Sequence, residues 1–161
     1  MQDFIDRFEI EGPRSRPGIH LGDTVGLLRV MRLAAYLERD LAGGCAVKPG
    51  QFQVLAALRR RDPLPMTASE LARAAILTSG AMTAVLDRLE EQGLVRREID
   101  TEDRRARRIT ITEKGRQLIN RALDQRMVQH RAVNAALTLE ERETLSALLR
   151  KLLIAVEGEA A

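Results

Sequence analysis

The stretch from Thr67 to Gly115 constrains the fold more than any other part of the chain. It reads TASELARAAILTSGAMTAVLDRLEEQGLVRREIDTEDRRARRITITEKG. Thr67 and Glu70 make a capping box, in which a hydroxyl and a carboxylate each satisfy the other residue's backbone amide at a helix start. The helix that follows is short and carries Leu71, Ala72 and Ala75. Ile76 and Leu77 make the next turn apolar, so it is expected to pack between two helices. Thr78 or Ser79 caps a second helix running to about Gln92, with Met82, Val85, Leu86 and Leu89 as its buried stripe. Gly93 follows the last helical residue, where a left-handed cap is expected.

Beyond Gly93 the pattern changes period. LVRREI, DTEDRRA and RRITIT follow in order. Ile109 and Ile111 alternate with Thr110 and Thr112, a two-residue period that reads as strand, and Ile99 is β-branched on the incoming side. Two short strands joined by a polar loop make a hairpin, or wing. Arg104, Arg105, Arg107 and Arg108 crowd its tip, with Arg96 and Arg97 on the incoming strand. A charge run is most often a solvated face. This one ends a hairpin beside a helix of small residues, and arginine at such a tip can enter a narrow minor groove of DNA. Asp103 repels DNA by itself, so its expected task is to orient Arg105 through a carboxylate–guanidinium fork. Arg107 and Arg108 cannot both face DNA, because neighbouring strand residues point opposite ways.

Helix, turn, helix and hairpin together outline a winged helix-turn-helix in a mainly α chain, with a two-stranded β-hairpin as the wing. In that arrangement the second helix enters the major groove and its N-terminal residues meet base edges. Those residues are Thr78, Ser79, Gly80, Ala81 and Thr83, all small or short. Small residues allow close backbone approach, and the unpaired amides of a helix N-terminus suit a phosphate. The hydroxyls of Ser79 and Thr83 can address bases. Met82 is assigned to the core. Arg88, one turn further on, could reach a phosphate or pair with a nearby acid.

The flanks are helical. Residues 1–11 suggest a short amphipathic helix with Phe4, Ile5 and Phe8 on one side, broken by Gly12, Pro13, Pro17 and Gly18. Leu27, Val30 or Met31, Ala34, Leu37 and Leu41 then recur at helical spacing from Asp23, and Gly43 and Gly44 stop that helix. Another helix begins at Pro49, a residue suited to a first turn. It carries Phe52, Leu55 and Leu58 and closes on Arg59, Arg60 and Arg61, with Asp62, Pro63 and Pro65 as linker. Thr112 caps a helix to about Ala135 with Leu118, Ala122 and Leu123 on its early apolar face. Thr138 and Glu141 repeat the capping box before a last helix rich in leucine, from Leu139 to Val156. That stripe exceeds what one short helix needs against its own domain.

Composition narrows the function. Aromatic residues are 2% of the chain, with no Trp, so the core must be aliphatic. A sequence pI near 9.6 fits an anionic partner. The one cysteine, Cys45, permits no internal disulfide and fits a reducing cytoplasm. No apolar run approaches the roughly 18 residues that a membrane helix needs. His20 and His130 lie far apart, and there is no Gly-rich phosphate loop, metal-spaced cluster or nucleophile motif, so neither enzyme chemistry nor a cofactor or metal is expected.

The segments ELARAAILTSGAMTAVLDRLEEQGLVRR and DTEDRRARRITITEKG resemble the MarR family of bacterial transcriptional regulators, and the resemblance extends over roughly residues 23 to 157. It implies a homodimer on double-stranded DNA with a near-palindromic operator. It implies that Arg105 is the minor-groove arginine, that Asp103 positions it, and that Arg88 lies near the phosphate backbone. Ala84 departs from the family, in which many members carry Arg after the Thr. The implied organisation is an N-terminal arm over 1–22, dimerisation helices over 23–45 and 116–161, and a DNA-binding lobe over 46–115. Many relatives bind a small aromatic or anionic effector that weakens DNA affinity. Candidate lining residues here are His20, Arg29, Met31, Arg32, Tyr36 and Phe52. Two alternatives stand beside the repressor reading: a winged-helix module for protein–protein interaction, and a thiol-based redox sensor acting through Cys45.

Overall fold

The computed structural model describes residues 3–6, 22–44, 47–99 and 107–158, except the side chains at 22, 23 and 40–44. His20, Cys45, Asp103, Arg104 and Arg105 lie outside these residues, as does most of the N-terminal arm. After a helical turn at residues 4–6 come α1 (Gly22–Gly44), α2 (Pro49–Arg61), β1 (Met66–Thr67), α3 (Ala68–Ala75), α4 (Ser79–Glu91), β2 (Val95–Ile99), β3 (Arg107–Ile111), α5 (Glu113–Asn134) and α6 (Leu139–Gly158). The chain divides into two compact units, Met1–Arg116 and Gln117–Ala161.

The first unit is the winged helix-turn-helix with α1 preceding it. Its core is aliphatic: Leu55, Leu58, Leu71, Met82, Leu89 and Ile109 are fully buried. They come from α2, α3, α4 and β3, so each element contributes one apolar stripe to a common interior. Pro49 opens α2 in its first turn and Arg59, Arg60 and Arg61 close it, where cations favour the negative end of the helix dipole. Gly50 sits where α2 approaches α4, with Val85 and Leu77 side chains about a van der Waals contact from the position of an added Cβ.

The wing differs from expectation by one strand. The sheet is three-stranded and antiparallel, in the order β1–β3–β2. Met66 pairs with Ile109 and Thr67 with Arg108. Thr67 reads from sequence as a helix cap and Met66 only follows the linker, because two residues are too short to show any strand period. The β2–β3 register runs from Val95 opposite Ile111 to Ile99 opposite Arg107. Ile109 and Ile111 face the core, whereas Ile99 near the tip is 57% exposed.

The turn between α3 and α4 also departs from expectation. Leu77 is half-buried, but Ile76 is 88% exposed. Ile76 takes a left-handed conformation, φ 52 and ψ 47, and that reversal of the backbone swings its side chain out while its neighbour points in. Gly93 has the left-handed φ, +68, expected after α4.

Thr112 locks the base of the wing to α5. Its N–H donates to the Leu94 carbonyl at 3.0 Å, and its hydroxyl donates to Gly93 O at 2.8 Å. The same hydroxyl accepts from the Gly115 amide at 3.1 Å. A Cβ at Gly115 would run into the Leu94 carbonyl oxygen and the Ile111 side chain. Arg116, in the first turn of α5, holds Asp62 through a fork of 2.7 and 2.9 Å. The guanidinium keeps the Asp62 carboxyl below the usual carboxylate range, and the carboxylate raises Arg116 in return.

In the second unit the apolar face of α5 takes in Ala122, as expected, and one residue more, Ile119. Ile119 and Ala122 are buried, while Leu118 and Leu123 are half-buried. The turn into α6 is closed by Arg142, whose guanidinium donates to the carbonyls of Asn134 at 3.0 Å and Leu137 at 2.8 Å. No residue of α6 is buried. Leu139, Leu145, Leu148, Leu152, Leu153, Ile154 and Val156 are all exposed. No helix among the described residues is long and apolar enough to cross a membrane.

Candidate nucleic-acid interface

The first turn of α4 is built by Thr78. With extended backbone, φ −68 and ψ 157, Thr78 accepts from the Ala81 amide through its hydroxyl, at 3.3 Å. Its carbonyl accepts from Met82 N–H at 2.9 Å. The Ser79 and Gly80 amides precede the first intrahelical bond and point out of the helix end. Ser79, Gly80, Ala81 and Thr83 are all exposed, and Met82 is 1% exposed. Met82 therefore anchors the face opposite the one offered to a partner. The Thr83 hydroxyl donates to Ser79 O at 3.1 Å, which leaves its oxygen lone pairs to accept from outside. Arg88 is exposed one turn later, and among the described residues no carboxylate pairs with it.

The wing strands sort their arginines by direction. Arg97 folds back onto α4, meeting Asp87 at 2.6 Å and Glu90 at 3.4 Å. Asp87 and Glu90 are one turn apart on one helix face, so a single guanidinium bridges both. This contact ties β2 to α4 and masks two acids that would otherwise repel an anion. Arg96, on the other face, is exposed and 3.8 Å from Glu98. Arg107 is exposed and Arg108 half-buried, opposite Ile99 and Glu98 respectively. The side chains of these neighbours leave the sheet on opposite sides. Arg108 also sits opposite Thr67, close enough for its charge to help hold Glu70 ionised. Asp103, Arg104 and Arg105, the centre of the expected tip, lie outside the described residues.

Behind this surface the charges are paired. Glu70 closes the capping box and meets Arg61 at 3.3 Å. Its carboxyl is held below the usual range, first by the Thr67 amide and then by the Thr67 hydroxyl, Arg61 and Arg108, against some desolvation. Lys114 donates to Gln92 O at 2.8 Å, placing a cation on the carbonyl end of α4. Gln51, the one buried polar side chain among the described residues, reaches Gln92 at 3.1 Å.

The candidate effector residues are dispersed. Arg29, Met31, Arg32 and Tyr36 lie on α1, Phe52 is buried in α2, and His20 lies outside the described residues. Arg29 is taken by Asp3 at 2.7 Å and Asp6 at 2.6 Å. Arg32 stacks 4.0 Å from the Phe4 ring centroid and 5.4 Å from that of Tyr36. Arg32, Ala35, Tyr36 and Arg39 line an open cleft of about 300 Å³. Met31 is 68% exposed and, two residues from Arg29, faces another way. Among the described residues no group of His, Cys, Asp and Glu could hold a metal ion.

Three features of this surface escaped the sequence: the Arg97 bridge, the Lys114 cap and the outward Ile76. Arg97 and Asp87 are ten residues apart on different elements, so no local spacing rule links them. For Ile76 a signal existed, since the residue closing a short helix before a new N-cap often adopts the left-handed region.

A family model described as MarR family matches residues 47–106. The transcriptional regulator PecS of Dickeya dadantii is 36% identical over 100 residues, which is 62% of this chain and 60% of that protein. The chain thus spans less than two thirds of that relative. An uncharacterised HTH-type transcriptional regulator of Bacillus cereus is 33% identical over 136 residues, 80% of this chain and 89% of that protein. The crystal structure of a probable transcriptional regulator from Pseudomonas aeruginosa superposes with a TM-score of 0.71 at 26% identity, covering 83% of this chain and 99% of that one.

Proposed function

The chain belongs to the MarR family of transcriptional regulators, and from that premise we propose that it is a homodimeric repressor binding a near-palindromic site on double-stranded DNA. Each copy lays the N-terminus of α4 in a major groove, using Thr78, Ser79, Gly80, Ala81 and Thr83 at bases and phosphates. Arg88 takes a phosphate further along. The wing lies over the adjoining minor groove, where Asp103 aims Arg105, and Arg104 and the exposed Arg107 supply backbone charge, while Arg108 leaves the sheet on the other side. A two-fold dimer sets the two α4 helices roughly 34–36 Å apart, one turn of DNA. The exposed leucine face of α6 pairs the copies.

The observation that carries the reading is the first turn of α4. Its side chains are short and exposed, its first amides are unpaired, and the acids behind it are bridged by Arg97. Close approach, partial positive charge and neutralised repulsion are what an anionic groove requires. A small aromatic or anionic effector relieves repression by binding beside α1. The open cleft at Arg32, Tyr36 and Arg39 supports that reading.

A gel-shift titration against duplex DNA from upstream of its own coding region tests the proposal. Binding should weaken steeply with salt. Arg105→Ala should cost about 1–3 kcal/mol if the arginine reads a groove. Unchanged affinity and salt slope would remove the wing from the interface. Small aromatic acids that raise the melting temperature of the free protein should release the duplex.

A further inference from the structure

We propose that Ile76 is a DNA-contacting residue, its side chain packing against an apolar edge of the duplex next to the groove that α4 enters. The inference rests on the DNA-binding reading above and adds a residue to it. Ile76 is held at φ 52 and ψ 47. The left-handed region is uncommon for any residue other than glycine and least suited to a β-branched one. It is also 88% exposed, so nearly its whole apolar surface stays in water. The turn itself needs neither feature. Its bonds are made by backbone: Ile76 N–H donates to the Ala72 and Arg73 carbonyls, and Leu77 N–H to Ala72 O at 3.0 Å. Glycine would close α3 in the same way at no steric cost. An apolar side chain kept in a strained, solvated position points to a partner that covers it on binding.

Ile76 stands two residues before Thr78, at the entrance to the exposed first turn of α4. Arg73, exposed on the last turn of α3, brings a cation to the same end of that helix. An apolar group beside a guanidinium and unpaired amides matches duplex DNA, whose charged backbone alternates with deoxyribose carbons and whose major groove shows thymine methyl groups. Leu77 faces inward, so of the two turn residues Ile76 is the one free to reach out.

The test measures duplex affinity, its salt slope and melting temperature together, with the upstream duplex as probe, for the wild type and for Ile76→Gly, Ile76→Asn and Ile76→Leu. Glycine and asparagine both accept the left-handed backbone. Relief of strain should hold or raise the melting temperature, by about 2–4 °C at most. Loss of the covered side chain should weaken duplex binding about five- to tenfold. The salt slope should stay constant, because no phosphate contact is lost. Ile76→Leu should restore most of the affinity. A uracil-for-thymine duplex identifies the surface touched. If the contact is a thymine methyl, uracil should cost the wild type what Ile76→Gly costs it and cost the variant nothing more. If it is deoxyribose, uracil should change nothing while the variants still lose affinity. Variants that bind as tightly as the wild type overturn the inference. So do variants that lose melting temperature and affinity together, since Ile76 would then be a structural turn residue. A wild type with no salt-dependent duplex binding would instead overturn the parent reading.

Discussion

Two helices of this chain begin on the same four-residue signal and end in opposite surroundings. At α3, Thr67 N–H donates to Glu70 Oε2 at 2.7 Å, and Glu70 N–H returns to the Thr67 hydroxyl at 3.2 Å. At α6, Thr138 N–H donates to Glu141 Oε2 at 2.7 Å, and Glu141 N–H returns to the Thr138 hydroxyl at 3.3 Å. The local chemistry is the same. Yet α3 buries Leu71 completely and Ala75 nearly so, whereas α6 buries no residue. A capping box decides where a helix starts and says nothing about what will cover it. For α3 the cover is α2, α4 and β3. For α6 nothing in residues 117–158 supplies it, and leucines stay exposed along most of its length, as an interaction surface requires. That contrast is the physical support for a second copy.

The largest effect that would break or sharpen the contrast comes from one leucine substitution on each helix. Leu71→Ala removes side-chain volume from a closed core and should cost about 2–5 kcal/mol in urea unfolding. Leu152, 49% exposed, has little to lose in a single chain. If a second copy covers it, Leu152→Glu should raise the dimer dissociation constant at least about tenfold by sedimentation, through an unpaired charge in an apolar interface. It should also lower the unfolding midpoint and make it depend less on protein concentration. A Leu152→Glu protein with the mass and midpoint of the wild type at every concentration would mean that another surface pairs the copies.

A third helix start shows what happens when packing overrules capping. Thr112 caps α5 through the Gly115 amide, the position at which α3 and α6 carry Glu. The Leu94 carbonyl and Ile111 side chain occupy the space a side chain would need. Gly115→Ala should therefore destabilise by about 1–3 kcal/mol, as overpacking does. It should do so although alanine is the better helix former. A melting temperature equal to or above that of the wild type would show that β2, β3 and α5 move apart cheaply, and the wing would then be a looser platform than its hydrogen bonds suggest.

These starts and stops were legible because each rests on residues three or four apart. Thr67, Thr138 and Gly93 act through neighbours in the chain, and so does the alternation of Ile109 and Ile111. What escaped depends on residues that meet only after folding. β1 exists because Met66 finds Ile109 across the sheet, and two residues carry no period of their own. Arg97 read as part of a basic wing, whereas its partners are on α4. On α5 the expected Ala122 is buried, but the most buried residue is Ile119, with Leu118 and Leu123 half-buried on either flank, because helical spacing defines a stripe while packing decides which of its members close most tightly. Within the candidate interface, the short side chains of α4 and their exposure followed from sequence. The direction of Ile76 did not, because one left-handed residue reverses inside and outside.

The smallest expected effect returns to the two capping boxes and asks whether they are electrostatically alike. Each carboxyl lies below its ordinary value of 4.5, Glu70 chiefly through the Thr67 amide and Glu141 chiefly through the Thr138 amide. A carboxyl lowered by folding contributes stability that is complete above the unfolded value and disappears as pH falls through the folded one. Glu70→Gln and Glu141→Gln should thus lower the melting temperature at pH 7 by a few degrees at most. The gap to the wild type should close as pH is brought from about 5 toward 3, below the unfolded carboxylate range. Glu70 also faces Arg61 at 3.3 Å and the charge of Arg108, so its gap should be the wider and should shrink with added salt. Glu141 has no basic neighbour among the causes of its shift, and its gap should be nearly insensitive to salt. Gaps that stay constant with pH would show that the carboxylate charge does not matter in either box, and that the shared motif works by hydrogen-bond geometry alone.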